Sequence, residues 1–252
     1  MALDGRAIRL IIPARARSSR FPDKPLCSIA GVPMIIRTYR QCLKAMPAEQ
    51  ITVATDDERI LRLCATEGAD VVLTSEACLT GTDRVAEAAR SRPSQYYVNV
   101  QGDEPVFNPV DIARFIDAAI QWPERLLMGY CPISDAADFT NPSIPKLVFR
   151  DDKRLLYISR AAIPTSKRHE FVMAWRQVCI YGFPPEELEL YSKSESKGIL
   201  EQIEDCETLR YLELGRDVFC VEMSDRSIAV DHPSDVAKVE AALLSAEPAL
   251  IP

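Results

Sequence analysis

The chain has 252 residues, of which 47% are hydrophobic, and its formal net charge is −7. This length suits one large domain with a sizeable core. The acidic balance argues against a nucleic-acid-binding surface, no apolar stretch approaches membrane-spanning length, and the first residues lack the pattern of a signal peptide.

The first half of the chain alternates apolar runs with amphipathic stretches. Periodicity predicts buried strands over 7–13, 51–54, 70–73 and 96–100 and helices over 33–45, 57–67, 82–91 and 109–120. Pro33 is expected at the first position of the first helix, and Asp56 and Asn108 are expected to cap the second and fourth. Such alternation predicts an α/β fold with a mostly parallel, open, Rossmann-like sheet and helices on both faces.

The pattern changes after residue 125. The predicted elements are strands over 126–131, 177–183 and 217–222, helices over 200–213 and from 233 to about 244, and a hairpin over 146–160 with Asp151 and Asp152 in its turn. Because no linker or repeat separates the halves, residues 1–252 are predicted to form a single domain. Residues 126–185, approximately, are interpreted as a small antiparallel elaboration of it.

A cluster of positive charge follows the first strand, with Arg15, Arg17, Arg20 and Lys24 inside ten residues. In open α/β sheets ligands bind beyond the carboxyl ends of the strands. Arginine forks and a lysine point charge at this edge are suited to a polyphosphate. A solvated basic loop accounts for this segment equally well.

The segment VNVQGDEP, residues 98–105, places Asp103 just after a buried strand. Carboxylates at such an edge are suited to Mg²⁺, which prefers oxygen ligands and substrate phosphates. Gly102 is expected to let a ligand approach the backbone closely. The alternative is an acidic turn, since Asp, Gly and Pro all favour turns.

A second aspartate, Asp231, lies in SIAVDHPSD after another apolar run and before a predicted helix. Alone, this pattern favours a helix cap. Considered with the other two motifs, Asp103 and Asp231 are suited to hold one Mg²⁺ against a triphosphate bound by the basic loop. Positioning and charge neutralisation of this kind are the requirements of nucleotidyl transfer.

Eight cysteines are present, none at C-x-x-C spacing, together with only two histidines. This composition argues against a zinc site. The cysteines mostly stand beside apolar residues, which is typical of small buried side chains in a reducing cytoplasm.

Seven segments occur in an order that resembles a known family: IIPARARSSRFPDKPL, ATDDERI, GTDRVAEA, VNVQGDEP, LLYISRAAIP, IYGF and AVDHPSD. Over nearly its full length the chain resembles 3-deoxy-manno-octulosonate (Kdo) cytidylyltransferases, also called CMP-Kdo synthetases. The resemblance implies a nucleotidyltransferase domain with a small dimerisation region, a homodimer, and a cytoplasmic enzyme of lipopolysaccharide biosynthesis. It also implies that Mg²⁺ is required and that CTP and the acidic sugar Kdo react with release of pyrophosphate.

The resemblance also implies roles for individual residues. Those expected to bind the nucleotide are Arg15, Ser19, Arg20, Lys24, Thr80, Gly81 and Arg84. Those expected at the acceptor are Gln101, Arg160, Gln177, Tyr181, Glu207 and Thr208. Asp103 and Asp231 are expected to hold the metal and, with Lys24 and Arg20, to form the catalytic group. Arg160 is the expected clamp for the acceptor carboxylate, because its fork matches two oxygens.

The chain departs from the family pattern mainly on the acceptor side. Gln177 replaces a family histidine, and Thr208 replaces a family glutamine. On the nucleotide side, Asp23 stands where the family usually has glycine, and a carboxylate beside a triphosphate is unfavourable unless it points away.

Two further functional hypotheses stay open at this point. One is a cytidylyltransferase of the same fold for another small acid, such as a modified ulosonic acid or a phosphonate. The other is a catalytically silent nucleotide-binding partner protein. The silent protein is disfavoured by retention of four residues, Arg20, Lys24, Asp103 and Asp231.

Overall fold

The computed structural model describes residues 7–17 and 21–246. The strands are β1 (Ile8–Ala14), β2 (Ser28–Ile29), β3 (Val32–Pro33), β4 (Ile51–Thr55), β5 (Asp70–Leu73), β6 (Tyr96–Val100), β7 (Leu126–Pro132), β8 (Lys146–Phe149), β9 (Leu155–Ser159), β10 (Trp175–Phe183) and β11 (Val218–Glu222). The α-helices are α1 (Met34–Leu43), α2 (Glu58–Thr66), α3 (Gly81–Ser91), α4 (Pro109–Gln121), α5 (Ala136–Thr140), α6 (Pro185–Ser192), α7 (Ile199–Glu204), α8 (Thr208–Glu213) and α9 (Pro233–Ala246). None of the helices so described combines the length and apolarity needed to span a membrane.

Most element boundaries agree with the sequence prediction to within about two residues, the usual scatter of such boundaries. Three details were wrong. Pro33 precedes α1 and pairs in β3, and Asp57, not Asp56, caps α2. The helix predicted over 200–213 is two helices, because Asp205 adopts a left-handed conformation with φ 48° and ends α7. The helices α5 and α6 and the short β2–β3 pair were not predicted.

One mixed sheet organises the described part of the chain, in the order β11-β7-β10-β6-β1-β4-β5. Strand β1 pairs in parallel with both β4 and β6, and β11 pairs in parallel with β7. Strand β10 is antiparallel to both of its neighbours, β6 and β7. The predicted mostly parallel α/β sheet is therefore confirmed. Strands β7 and β10, assigned to the antiparallel elaboration, instead lie inside this sheet, and only the β8–β9 hairpin branches from it.

Two apolar cores cover the two faces of the sheet. Leu10 and Ile12 of β1 pack in one core with side chains of α1, α2 and α4. Ile11, between them, packs in the other core with side chains of α3, α6 and α8. Because successive side chains of a strand point to opposite faces, a strand buried on both sides reads as the continuous apolar run seen at the start of the chain. The predicted placement of helices on both faces is confirmed.

A smaller apolar cluster brings the end of the described chain back to its beginning. Val239 of α9 packs against Ile29 and Met34, together with Val230 in the segment before the helix. All four side chains are buried. This packing places the segment that contains Asp231 beside the turn after β6, some 130 residues earlier in the chain.

Candidate active site

A cleft of ≈ 270 Å³ opens at the carboxyl ends of β1 and β6. The sequence-predicted residues that line it are Arg15, Lys24, Thr80, Gly81, Arg84, Gln101, Asp103, Arg160, Gln177, Tyr181, Glu207 and Asp231. Thr208 does not line the cleft; it is buried in the first turn of α8. Ser19 and Arg20 lie outside the described residues. The fold therefore gathers at one edge residues that are up to 216 positions apart in the sequence (Arg15 to Asp231).

Lys24 links the basic loop to the turn after β6. Its ammonium donates to Asp103 Oδ2 at 2.7 Å and to the carbonyl oxygen of Val230 at 2.8 Å. The lysine side chain is only 15% exposed, so the ion pair is shielded from bulk water. One cation thus joins three segments of the chain at the floor of the cleft.

Asp231 reaches the cleft through a loop and not through a strand. The apolar run before it was expected to be a short strand that ends at Asp231, by analogy with Asp103, but residues 226–231 have no regular secondary structure. The amide of Val230 donates to the carbonyl oxygen of Asp103 at 2.9 Å, which sets the two aspartates side by side along adjacent backbones. The capping contacts near α9 come instead from Asp235, whose carboxylate accepts from the amides of Asp231 and His232.

The packing of Gly102 gives a second reason for glycine at this position, beside the predicted approach of a ligand. A Cβ atom there would lie 2.6 Å from the carbonyl oxygen of Pro13, closer than real contacts allow. The hydroxyl of Thr38 also donates to the Gly102 carbonyl at 3.1 Å. Gly102 is therefore required for the turn to pack against the end of β1. It also lines the cleft, and its role in close ligand approach stays a prediction.

Glu104 is a buried carboxyl group next to the two aspartates. Burial, reinforced by the negative charge of Asp103, raises the pKa of Glu104 to about 8. Its Oε2 atom has no hydrogen-bond partner among the described residues. The group is therefore mainly protonated at neutral pH, and a local positive charge would favour its ionised form.

The carboxylate pair has the composition of a magnesium site that is completed by its substrate. Within residues 7–17 and 21–246, no three or more His, Cys, Asp or Glu residues gather as a ligand cluster. Magnesium, however, is often held by one or two carboxylates together with substrate phosphates and water. Asp103 and Asp231, with the unsatisfied oxygen of Glu104 behind them, fit that chemistry.

The first turn of α3 forms another wall, and Glu207 holds it in place. The Glu207 carboxylate accepts from the amide of Gly81 at 3.0 Å and from the amide of Thr82 at 2.8 Å. Burial raises the pKa of Glu207, while these bonds and one from the Thr82 hydroxyl favour its ionised form. Thr80 caps the helix by accepting from the Asp83 amide. Glu207, predicted at the acceptor, therefore also serves as an anion at a helix N-terminus.

Arg84 is almost fully buried, and its partners explain its fixed orientation. Its guanidinium donates to Asp56 Oδ2 at 2.9 Å and to the hydroxyl of Thr74. Asp56 also accepts from the amide of Ala16, in the loop after β1, at 3.4 Å. The carboxylate that was predicted to cap α2 therefore joins the two stretches expected to bind the nucleotide.

Asp23 points away from the cleft. Its carboxylate accepts from Arg59 at 2.6 Å on the exposed surface. The residue has φ 53°, a left-handed conformation in which glycine is favourable, which accounts for the family preference for glycine at this position. This geometry removes the expected conflict between Asp23 and a bound triphosphate.

Arg160 lies at the end of β9 and holds together two loops. Its guanidinium donates to the carbonyl oxygens of Pro142 at 2.9 Å, of Asp205 at 3.2 Å and of Glu204. Its amide donates to the Glu204 carboxylate at 2.8 Å. The arginine is 27% exposed, so part of the guanidinium stays accessible from the cleft.

Gln177 and Tyr181 lie four residues apart on β10 and contact each other. The Gln177 amide donates to the Tyr181 hydroxyl, and both side chains are buried. Gln177 therefore presents its amide beside a phenol in the lining of the cleft, at the position where the family has a histidine. Thr208, the other departure, is buried at the start of α8 and does not line the cleft.

Two charged residues that line the cleft, Lys197 and Asp205, were not predicted from the sequence. Lys197 pairs with Asp205 at 2.9 Å, and Asp205 lies in the break between α7 and α8. The sequence of residues 200–213 keeps the apolar periodicity of a helix across this break. No local pattern therefore indicated that the helix ends at Asp205. The two histidines, at positions 169 and 232, are absent from the cleft lining.

Comparisons with known proteins match most of this chain. A family model described as cytidylyltransferase matches residues 9–218. The chain is 40% identical over 237 residues to a 3-deoxy-manno-octulosonate cytidylyltransferase of Myxococcus xanthus (strain DK1622), covering 92% of this chain and 94% of that protein. It is 36% identical over 237 residues to an 8-amino-3,8-dideoxy-manno-octulosonate cytidylyltransferase of Shewanella sp. (strain W3-18-1), covering 92% and 96%.

A solved structure extends the similarity to three dimensions. The structure of a CMP:2-keto-3-deoxy-manno-octonic acid synthetase complexed with CTP matches with a TM-score of 0.86 at 31% sequence identity. The match covers 94% of this chain and 98% of that chain. The whole sheet and its helices, and not only the motif-bearing loops, therefore share that architecture.

Proposed function

This chain belongs to the family of 3-deoxy-manno-octulosonate cytidylyltransferases, and on that premise we propose that it transfers CMP from CTP to Kdo or a closely related acidic sugar, with release of pyrophosphate. One observation carries the proposal. A single cleft is lined both by Lys24, Asp103 and Asp231 and by Arg160 and Tyr181. A reaction that joins a triphosphate to a sugar acid requires a cation, a pair of carboxylates and an arginine that can bind the acid group, and this cleft contains all three.

The part of the cleft proposed to bind CTP contains cationic side chains that suit the negative charge of its phosphates. Arg15 and Lys24 supply positive charge, and the ammonium of Lys24 already sits 2.7 Å from Asp103. In the reaction, the acceptor hydroxyl attacks the α-phosphorus of CTP in line and pyrophosphate leaves. Lys24 and the arginine stabilise the negative charge that develops on the phosphate oxygens. The first turn of α3, held by Glu207, offers a fixed wall for the nucleoside.

Mg²⁺ is proposed as the cofactor, with Asp103 and Asp231 as its protein ligands. When bound, it would neutralise and orient the phosphates of CTP. The protein contributes the two carboxylates at fixed spacing, because the Val230–Asp103 backbone hydrogen bond ties their loops together. Glu104, buried behind them, adds a titratable carboxyl group to the same charge cluster.

The acceptor end is proposed to bind the acid group of the sugar. Arg160 matches a carboxylate in shape and charge, and the buried Gln177 and Tyr181 supply further donors and acceptors. The identity of the acid is the open part. A relative of this chain is named for the 8-amino sugar, and Gln177 stands where the family has histidine. A modified ulosonic acid is therefore the second candidate acceptor, and a phosphonate is a third.

The test is a panel assay with purified full-length protein, CTP, Mg²⁺ and pyrophosphate release as the readout. The acceptors are Kdo, 8-amino-3,8-dideoxy-manno-octulosonate, a sialic acid and a small phosphonate. We expect turnover with one of the two octulosonates, and the preferred one identifies the acceptor. Turnover of the phosphonate alone would move the enzyme to another acceptor class. Tight CTP binding with no turnover of any acceptor would support the silent partner protein instead.

Arg160→Lys is expected to weaken the acceptor and spare the nucleotide. Lysine keeps the charge but lacks the fork that makes two parallel bonds to a carboxylate. Its single nitrogen also cannot take the place of the three separate nitrogens with which Arg160 contacts three carbonyl oxygens. The acceptor KM should rise by about ten- to a hundredfold, the effect of losing one charge-assisted hydrogen bond. The KM for CTP should stay within about twofold, because no nucleotide contact is changed.

Arg150→Lys is the matched control, because Arg150 lies in the same hairpin on the exposed surface and is absent from the cleft lining. It should leave both KM values unchanged. A rise in the KM for CTP as large as that for the acceptor would show that Arg160 does not belong to the acceptor site.

The assembly proposed for the enzyme is a homodimer, in the cytoplasm, within lipopolysaccharide biosynthesis. Large exposed apolar side chains support the assembly: Leu156 of β9 and the α7 pair Ile199 and Ile203, which lie four residues apart and so share a helix face. Eight unpaired thiols are consistent with a reducing compartment. Sedimentation equilibrium measures the assembly, and a mass of one chain at all concentrations would exclude the dimer.

A further inference from the structure

Lys146, the first residue of β8, is a lysine with no exposed surface. A fully buried lysine is rare, because removing an ammonium from water costs several kcal/mol unless it is well bonded. No feature of the segment KLVFR distinguishes this lysine from an ordinary strand residue. Its burial therefore calls for a reason in the tertiary structure.

The partners of Lys146 are main-chain carbonyl oxygens. Its Nζ donates to Arg160 O at 2.7 Å and to Asn141 O at 2.8 Å. Among the described residues no carboxylate lies within ion-pair distance of this nitrogen. Burial and then the positive charge of Arg160 lower the pKa of Lys146. The ammonium thus serves as a donor that joins two backbones, and not as half of an ion pair.

Both backbones belong to the acceptor end of the cleft. Ser143 and Pro145, in the loop that follows Asn141, line the cleft, and so does Arg160. The Arg160 guanidinium donates to Pro142 O at 2.9 Å, one residue after the carbonyl that Lys146 binds. Lys146 and Arg160 therefore bind consecutive carbonyl oxygens of the 141–145 loop. Lys146 also binds the main-chain carbonyl oxygen of Arg160.

The main chain of Arg160 is fixed from two sides. Its amide donates to Glu204 at 2.8 Å, and its carbonyl accepts from Lys146. Glu204 also accepts from the hydroxyl of Ser159, at 2.6 Å. Glu204 belongs to α7 and Lys146 to β8, so the position of the arginine depends on two separate elements. Among the described residues, Lys146 is the one side chain that donates a hydrogen bond to the carbonyl oxygen of Arg160, so its removal would leave this oxygen without a side-chain partner.

We propose that Lys146 is a positioning residue for the acceptor, acting through Arg160. It holds the Arg160 main chain and the 141–145 loop at the spacing that aims the guanidinium at the acid group. This inference rests on the proposed function for its kinetic consequence, but its structural part concerns the free protein alone. Two other roles are tested below: a purely structural lysine, and a lysine that attracts the acid by charge.

The first experiment is hydrogen exchange on the ligand-free full chain, comparing the native protein with Lys146→Met. Methionine has a similar length and suits a buried site, but it donates no hydrogen bond. Exchange should become about tenfold faster in residues 141–145 and 160–162, since loss of one such bond is worth about that factor. Helix α4 should exchange as before. Unchanged exchange in both segments would overturn the proposal.

Two further variants keep this experiment decisive. Lys146→Gln retains an amide donor and should show a smaller acceleration, and it substitutes for Lys146→Met if that variant does not fold. Lys197→Met removes a positive charge from the same cleft without touching Asn141 or Arg160. Equal acceleration in Lys197→Met would show that charge alone, and not the two carbonyl contacts, orders these segments.

The second experiment is a double-mutant cycle on the acceptor kcat/KM, with Lys146→Met and Arg160→Lys. Each single change should lower kcat/KM by about tenfold or more, with little change in the KM for CTP. If Lys146 acts through Arg160, the double variant should be about as active as Arg160→Lys alone. Additive losses would overturn the positioning role. If the native protein turns over no acceptor, the proposed function fails, and hydrogen exchange still decides the inference about Lys146.

Discussion

Asp103→Asn is expected to lower kcat of cytidylyl transfer by about 10³-fold or more, equivalent to about 4 kcal/mol of transition-state stabilisation. The carboxylate accepts from Lys24 at 2.7 Å and stands beside Asp231 in the cleft. Asparagine keeps the shape of the side chain but removes its charge. The substitution therefore weakens the proposed Mg²⁺ site and also breaks the ion pair with Lys24. Asp231→Asn should show a loss of the same order, since the two carboxylates are proposed to share one ion.

The fold should survive the substitution, because the Asp103 side chain is 28% exposed and makes no core contact that asparagine cannot replace. Thermal unfolding and Mg²⁺ titration of the free protein, followed by calorimetry, separate a lost ligand from a lost fold. Asp117→Asn, on the exposed side of α4, removes the same charge away from the cleft and should retain full activity. Near-native turnover with native Mg²⁺ dependence in Asp103→Asn would refute the assignment.

Arg210→Met is expected to destabilise the protein more than any change on its surface. Arg210 is 2% exposed and donates to Glu201 at 2.6 Å and to Asp83 at 2.9 Å. Its guanidinium also lies 3.8 Å from the ring centroid of Tyr191. Removing one partner of a buried ion pair leaves uncompensated charge, here on two carboxylates. The free energy of unfolding should fall by about 3–5 kcal/mol.

Urea denaturation measures this loss from the midpoint and slope of the transition. Arg62→Met is the matched control, because Arg62 pairs with Glu58 on the surface of α2, where an ion pair contributes little. Adding Glu201→Gln to Arg210→Met should recover part of the loss by neutralising the orphaned charge. A loss below about 1 kcal/mol would mean that the network contributes little to stability.

The same network explains why stability and nucleotide binding should be coupled. Asp83, one partner of Arg210, accepts from the hydroxyl of Thr80, the residue that caps α3 and lines the cleft. Glu207, in the adjoining turn, binds the first amides of α3. The α7–α8 region therefore supports the first turn of α3, the wall proposed to bind the nucleoside. Its sequence, interpreted as one continuous helix, carried no sign of this role.

Local signals made much of the fold predictable. The apolar run at 8–14, the cap at Asn108 and the hairpin turn at Asp151 depend on residues close in sequence, whose geometry constrains each other directly. Where a prediction from neighbouring residues was wrong, a contact with a distant residue had changed the role of the side chain. Asp56 did not cap α2 because its carboxylate is bound to Arg84, 28 residues away, and the adjacent Asp57 took the cap.

The sequence by itself determined the α/β class, the family and most of the charged residues of the cleft, because ordered motifs and hydrophobic periodicity are properties of neighbouring residues. Only the tertiary structure decided that β10 runs antiparallel within the sheet, that Lys24 meets Val230 across 206 positions, and that Glu207 binds Gly81 across 126. It also decided that Lys146 is buried against two carbonyls. Such contacts follow from the packing of whole elements, and a periodic pattern does not specify which distant partner an element will meet.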